Sequence, residues 1–130
     1  MNAADRKAIQ TDKAPKALGP YSVAIQLGEL VFASGQAGID PSTNELAPGG
    51  IEPETHQVLT NLKNVLEAAG SRMENVVKTT VFLTNMGDFA KMNAIYAAYF
   101  TDNFPARSTV QVSALPKGAM VEIECIAFRS

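Results

Sequence analysis

Cysteine and histidine occur once each, as Cys125 and His56, and tryptophan is absent from the 130 residues. A lone cysteine excludes an internal disulfide, and with one histidine beside it there is no set of ligands for an ordinary zinc centre. Basic charge is also scarce. Lys plus Arg number 11 against 13 Asp plus Glu, with no basic run, so the long-range attraction that nucleic-acid binding draws on is missing. No apolar stretch approaches the roughly 20 residues of a membrane span, and the opening MNAADRKAIQTDKAP has no apolar core of a signal peptide. The expected compartment is therefore the cytosol. Repeats and low-complexity tracts are lacking too, and Gly35-Gln36-Ala37-Gly38 has too few glycines for a phosphate-binding loop.

What remains is a globular balance of 46% hydrophobic and 18% charged residues. A chain of this length builds one core, so residues 1–130 read as a single domain. Only a short stretch around Ala8 to Thr11 offers an edge strand before Leu18-Gly19-Pro20. Tyr21 to Leu27 and Leu30 to Ser34 are strand-like runs joined at Gly28-Glu29, a hairpin in which Gly supplies a positive φ. Gly35 to Gly50 reads as loop.

From Glu52, the residues Val58, Leu59, Leu62, Val65, Leu66 and Ala69 recur at helical spacing, with Pro53 in the first turn and Gly70 ending the pattern. Val76 to Thr84 is rich in Val and Thr and predicts a strand. Asn85-Met86-Gly87-Asp88 then turns the chain, Asp88 is placed to cap a second helix, and Phe89, Met92, Tyr96, Tyr99 and Phe100 form its apolar face. Strands follow near Ser108 to Val112 and Val121 to Phe128, joined by the turn Leu115-Pro116-Lys117-Gly118. Two helices cannot cover both faces of a sheet of about six strands, so one face is expected to need another subunit.

In the last strand, period-two alternation puts Val121, Ile123, Cys125 and Ala127 on an apolar face toward the helices. The other face carries Glu122 and Glu124 and then Ile126 and Phe128, a mixture suited either to a solvated surface or to the border of a wet pocket. Arg107 follows Phe104-Pro105-Ala106 and opens a strand; a guanidinium on backbone set by a nearby proline can hold a carboxylate through two parallel hydrogen bonds, or can serve as a surface ion pair. His56 reads as a solvated side chain and Cys125 as a small buried apolar one. Tyr21, Ser34 and Asn93 supply hydrogen-bonding groups near element boundaries, a pattern that is usually structural.

Taken together, Gly19-Pro20-Tyr21-Ser22, Phe32-Ala33-Ser34-Gly35-Gln36, Val77-Lys78-Thr79-Thr80-Val81-Phe82-Leu83, Phe104-Pro105-Ala106-Arg107-Ser108, and Leu115-Pro116-Lys117-Gly118 through Val121-Glu122-Ile123-Glu124 resemble the RidA (YjgF) family over almost the whole chain. The arginine-bearing string marks the active branch. The resemblance implies a chorismate-mutase-like α+β fold, with one mixed sheet, two helices on one face, and a homotrimer whose sheets close a central barrel. It further implies clefts between subunits that hydrolyse reactive 2-imino acids, the imine forms of enamine intermediates, to 2-oxo acids and ammonia.

By the same resemblance, Arg107 binds the substrate carboxylate, Glu122 positions or activates water, and Tyr21, Ser34 and Asn93 line the cleft. Thr109 contributes a backbone hydrogen bond at a place where some relatives carry cysteine. Glu122 is chosen over Glu124 by counting along one strand, and both project to the same face. No metal or organic cofactor is expected, because a protonated imine is already a strong electrophile that needs only an anchor and an oriented water. The alternative of another class is a non-enzymatic protein that binds a small metabolite or exposed protein surface; a translation inhibitor acting on RNA fits the acidic charge less well.

Overall fold

The computed structural model describes residues 5–130. Six strands form one sheet in the order β1-β2-β3-β8-β6-β7, built from β1 (Arg6–Ile9), β2 (Ala24–Leu27), β3 (Leu30–Ala37), β6 (Val76–Leu83), β7 (Ala106–Gln111) and β8 (Val121–Phe128). All neighbours are antiparallel except β6 and β7. Two long helices, α1 (Ile51–Ala68) and α2 (Phe89–Tyr99), connect β-elements and pack on one face of the sheet. The expected α+β architecture is thus borne out.

The core follows from the two periodicities. Val58, Leu59, Leu62, Val65 and Leu66 of α1 are fully buried, and they meet Val31 of β3, Val81 of β6, and Val121, Ile123 and Ala127 of β8 in one cluster with Met92 and Tyr96 of α2. Each such aliphatic side chain taken from water contributes about 1.5–3 kcal/mol. Strand β8 alternates between buried and more exposed residues along its whole length, as the sequence predicts. The opposite face of the sheet is mixed, with Glu122, Glu124 and Thr80 at one end and an uncovered apolar patch at the other: Leu30, Phe32 and Phe128 are exposed, as is Val110 on β7, with Phe32 paired to Ile126 and Leu30 to Phe128 across β3 and β8.

Several boundaries differ from expectation. The edge strand is Arg6–Ile9, two residues before Ala8 to Thr11, because its register is set by pairing with β2, Arg6 opposite Leu27. Strand β2 begins at Ala24, not Tyr21. The backbone of Tyr21 is bent back, its N–H donating to Gly19 O at 2.8 Å. The hairpin turn holds, with Gly28 at φ 59, a conformation costly for any residue with a Cβ.

The stretch from Gly35 to Gly50 is not all loop. Strand β3 runs through Gly35 and Gln36 to Ala37, with a bulge between Ala33 and Gln36. A two-stranded ribbon, β4 (Ile39–Asp40) and β5 (Glu45–Leu46), follows. Turn-forming composition hid these pieces. Buried Asn61 of α1 anchors the bend, donating to Ala37 O at 3.1 Å and Ile39 O at 2.9 Å. Among the described residues no helix is long and apolar enough to cross a membrane.

Candidate active site

Arg107 is the second residue of β7 rather than its first, and its Cα partner on β6 is Thr79, which is fully buried on the helix face. The Arg107 side chain therefore rises toward α2. Its Nη1 donates to Asn93 Oδ1 at 2.7 Å, and its Cζ lies 4.8 Å from the ring centroid of Tyr96 and 5.4 Å from that of Phe89. Phe89, Asn93 and Tyr96 share one side of α2 because they are spaced by four and three residues. A guanidinium has donors only, so Asn93 must present its oxygen to Arg107 and keep its amide NH2 for another partner.

The ion pairs among the described residues are Lys63–Glu67 and Arg72–Glu74, and neither involves Arg107. Its charge is held by an amide oxygen and two π faces, with no carboxylate paired to it among the described residues. Such a cation is primed for an anion that offers two oxygens. Asn93, Tyr96, Phe104, Pro105 and Arg107 line an open pocket of about 520 Å³, and Phe104 is 72% exposed at its rim.

Thr109 stands two residues beyond Arg107 on the same side of β7. Its hydroxyl oxygen is buried and, among the described residues, has no hydrogen-bond partner. As an edge strand, β7 leaves a row of backbone N–H and C=O groups unpaired, which is the setting a backbone contact at Thr109 requires.

Glu122 belongs to the opposite face. Its Cα partners are Phe82 of β6 and Ala37 of β3, one step out of phase with the buried Val121 and Ile123. The carboxylate lies over Gly35 in the β3 bulge: a Cβ built on Gly35 would stand 2.6 Å from Glu122 Oε2. Partial burial raises the Glu122 pKa above its ordinary value of 4.5, and the charge of Glu124 pushes it the same way. Glu124 is exposed on that face.

Ser34 precedes Gly35, and its Oγ donates to Ser22 O at 2.6 Å, which ties the bulge to the segment carrying Tyr21. Tyr21 is 47% exposed, and its hydroxyl accepts from Leu18 N at 3.1 Å. Tyr21 and Ser22 line a separate open cavity with residues from Ala8 to Ala17. One chain thus gathers Asn93, Arg107 and Thr109 on the helix side, sets Ser34 and Glu122 at the bulged β3–β8 pairing, and leaves Tyr21 apart from both, ahead of β2.

The remaining sequence readings divide. His56 is exposed and its Nδ1 lies 3.1 Å from the Tyr99 hydroxyl, a surface contact. Cys125 is buried, and burial, aided by Glu124, holds its thiol pKa up to about 12, so it stays protonated and inert. Asp88 sits at the α2 N-cap position without a capping bond. The neighbouring turn is held instead by Asn85, which accepts from Gly87 N at 2.8 Å. Sequence reading passed over Gly35, Phe89 and Tyr96 as parts of a site. For the two aromatics the available signal was their spacing around Asn93.

The sequence pattern of the family described as endoribonuclease L-PSP matches residues 11–129. The mouse protein named 2-iminobutanoate/2-iminopropanoate deaminase is 52% identical, covering 98% of this chain and 94% of its own. The human protein of the same name is 48% identical, covering 99% and 94%. Among solved structures, RidA from the Antarctic bacterium Psychrobacter sp. PAMC 21119 superposes with a TM-score of 0.91 at 48% identity, over 94% of this chain and 98% of that one. Escherichia coli TdcF with bound serine gives 0.91 at 42%, over 95% and 99%. With the predicted motifs, the fold and these likenesses in agreement along nearly the whole length, the chain belongs to the RidA (YjgF) family.

Proposed function

We propose that this protein hydrolyses 2-iminobutanoate and 2-iminopropanoate to the 2-oxo acids and ammonia. The observation that carries the reading is the Arg107 guanidinium, fixed by Asn93 and two rings and, among the described residues, left without a carboxylate partner. The names of the mouse and human relatives supply the substrate. Arg107 grips both oxygens of the substrate carboxylate and so orients C2. A water held by the Glu122 carboxylate adds to the protonated imine carbon and gives up one proton to Glu122. That proton passes to nitrogen, the regenerated Glu122 carboxylate takes the hydroxyl proton as the C–N bond of the tetrahedral adduct breaks, and the carbonyl forms while ammonia leaves and carries this last proton away as ammonium. The net reaction consumes one water, and the electrophile is the protonated imine itself, so no metal or cofactor enters the scheme.

The working unit in this reading is a homotrimer with three inter-subunit clefts. Arg107, Asn93 and the Thr109 backbone come from one chain, and Glu122, Tyr21 and Ser34 from its neighbour. Two features support it: the placement of Arg107 and Glu122 on opposite sheet faces, and the exposed apolar face bearing Leu30, Phe32 and Phe128. We place the protein in the cytosol, a reducing compartment that suits its single buried thiol. A net charge of -2 argues against an RNA substrate.

The test is a coupled assay in which an amino acid oxidase generates the 2-imino acid and its decay is followed with and without the protein. Accelerated decay with stoichiometric ammonia supports the reading. An unchanged rate with binding of the 2-oxo acid retained would favour a non-enzymatic metabolite binder.

A further inference from the structure

The Tyr96 hydroxyl lies 2.7 Å from Thr79 Oγ1, in a core position where Tyr96 is 6% exposed and Thr79 not at all. Thr79 is the residue directly across from Arg107 in the β6–β7 pairing. The same Tyr96 ring is the nearer of the two under the guanidinium, at 4.8 Å against 5.4 Å for Phe89. It also packs against Phe100, with centroids 4.5 Å apart at 38°. Backbone pairing, hydroxyl bond and ring contact thus close a circuit from Arg107 to Thr79 to Tyr96 and back to Arg107.

We propose that Tyr96 is a positioning residue, whose ring, held at a fixed tilt by the bond between its hydroxyl and Thr79, sets the plane in which Arg107 presents its fork to the substrate. The inference rests on Arg107 acting as the carboxylate anchor and adds what aims it. Asn93 fixes only one corner of the guanidinium, leaving rotation about that bond. A flat cation resting on a flat ring loses this rotation, because tilting away sacrifices the attraction to the π face. A phenylalanine here would keep the ring but free it to turn, while leaving the buried Thr79 hydroxyl unpaired.

The experiment compares Tyr96→Phe, Thr79→Val and the double variant, each also in an Arg107→Lys background. It measures imine turnover and, by calorimetry, binding of 2-oxobutanoate. Each single change is expected to lower kcat about three- to tenfold through misorientation, while binding of the 2-oxo acid weakens less than about threefold. The double variant should be no worse than either single, since both break one bond. In the Arg107→Lys background, which lacks the planar fork, Tyr96→Phe should change turnover less than about twofold.

A ligand-free reading comes from the Arg107 Nε–H resonance. The ring beneath it should displace this resonance upfield in the parent, and both single variants should move it. Turnover within twofold of the parent for both singles, or an equal loss in the Arg107→Lys background, overturns the proposal. If the parent neither turns over imine nor binds the 2-oxo acid, the anchoring role of Arg107 fails and the inference falls with it. Parent activity lost on Arg107→Ala, with Tyr96→Phe indistinguishable from parent, sinks the positioning role alone.

Discussion

Arg107 and Glu122 rise from opposite faces of a single sheet. Arg107 sits opposite buried Thr79 and reaches α2, while Glu122 is paired with Phe82 and lies against Gly35. A substrate small enough to be a three- or four-carbon imino acid cannot bridge a sheet whose core face is closed by Val121, Val81 and Leu83. If both residues act on one molecule, they must come from different chains.

This gives a complementation test. Arg107→Ala and Glu122→Gln should each be nearly inactive, yet their random co-assembly should restore about a quarter of the parent activity, because a cleft needs an intact Arg107 from one chain and an intact Glu122 from the next, each with probability one half. Mass by light scattering should report a trimer for all three preparations. No recovery in a verified mixed trimer would place both residues in the same subunit.

Arg107→Lys should fail almost as badly as Arg107→Ala. Lysine keeps the charge but offers no planar fork, and its ammonium cannot both reach Asn93 and grip two carboxylate oxygens. Loss of one charge-assisted hydrogen bond costs about 1.5–3 kcal/mol, roughly one to two powers of ten in kcat/KM before misalignment. Retention of more than about half of the parent efficiency would mean that Arg107 acts only as a charge.

The pH profile should carry the signature of Glu122. The carboxylate works ionised, and burial together with Glu124 raises its pKa above 4.5, so activity should fall as pH drops through that raised value. Removing the repelling charge with Glu124→Gln should lower the pKa and shift the acid limb to lower pH without abolishing turnover. Glu122→Gln should remove the limb along with most of the turnover. A shift in the other direction for Glu124→Gln, or full activity for Glu122→Gln, would transfer the proton-accepting role to Glu124 or to solvent.

Gly35→Ala probes the same carboxylate by geometry. A Cβ there would stand 2.6 Å from Oε2 and 2.8 Å from Cδ of Glu122, and a flexible side chain can yield to it at little cost in folding. The expected result is a Tm within about 3 °C of the parent, corresponding to under about 1 kcal/mol, with kcat reduced by about tenfold or more. Parent-like kcat would show that Glu122 need not rest on the bulge.

The legible parts of this fold were those in which one periodicity persists. Strand β8 alternates without a break from Val121 to Phe128, and α1 repeats its apolar residues from Val58 to Leu66, so both can be read along the chain. From sequence, strand β3 ends at Ser34, because Gly35-Gln36-Ala37-Gly38 has the composition of a turn. In the structure Gly35 is retained in the strand as the small residue beneath Glu122. Asp88 illustrates another limit, since a residue can occupy a cap position without making the bond. The contact of Arg107 with Asn93 and Tyr96 depends on how α2 lies over β7, a tertiary relation that no local pattern encodes. Residue identities come through the family resemblance, the face of Glu122 through the alternation of β8, and the face of Arg107 only through its register against Thr79.

The bare face that carries Leu30, Phe32 and Phe128 also bears on the early life of each chain. If the proposed trimer is the working unit, meeting its own kind is a collision whose rate grows with the square of the number of newly made copies, whereas sticking to unrelated apolar matter in a crowded cell is first order in them. Scant synthesis therefore prolongs the interval in which the second fate competes. For such a protein the hazard of low expression is loss of chains to aggregates, out of proportion to the fall in output.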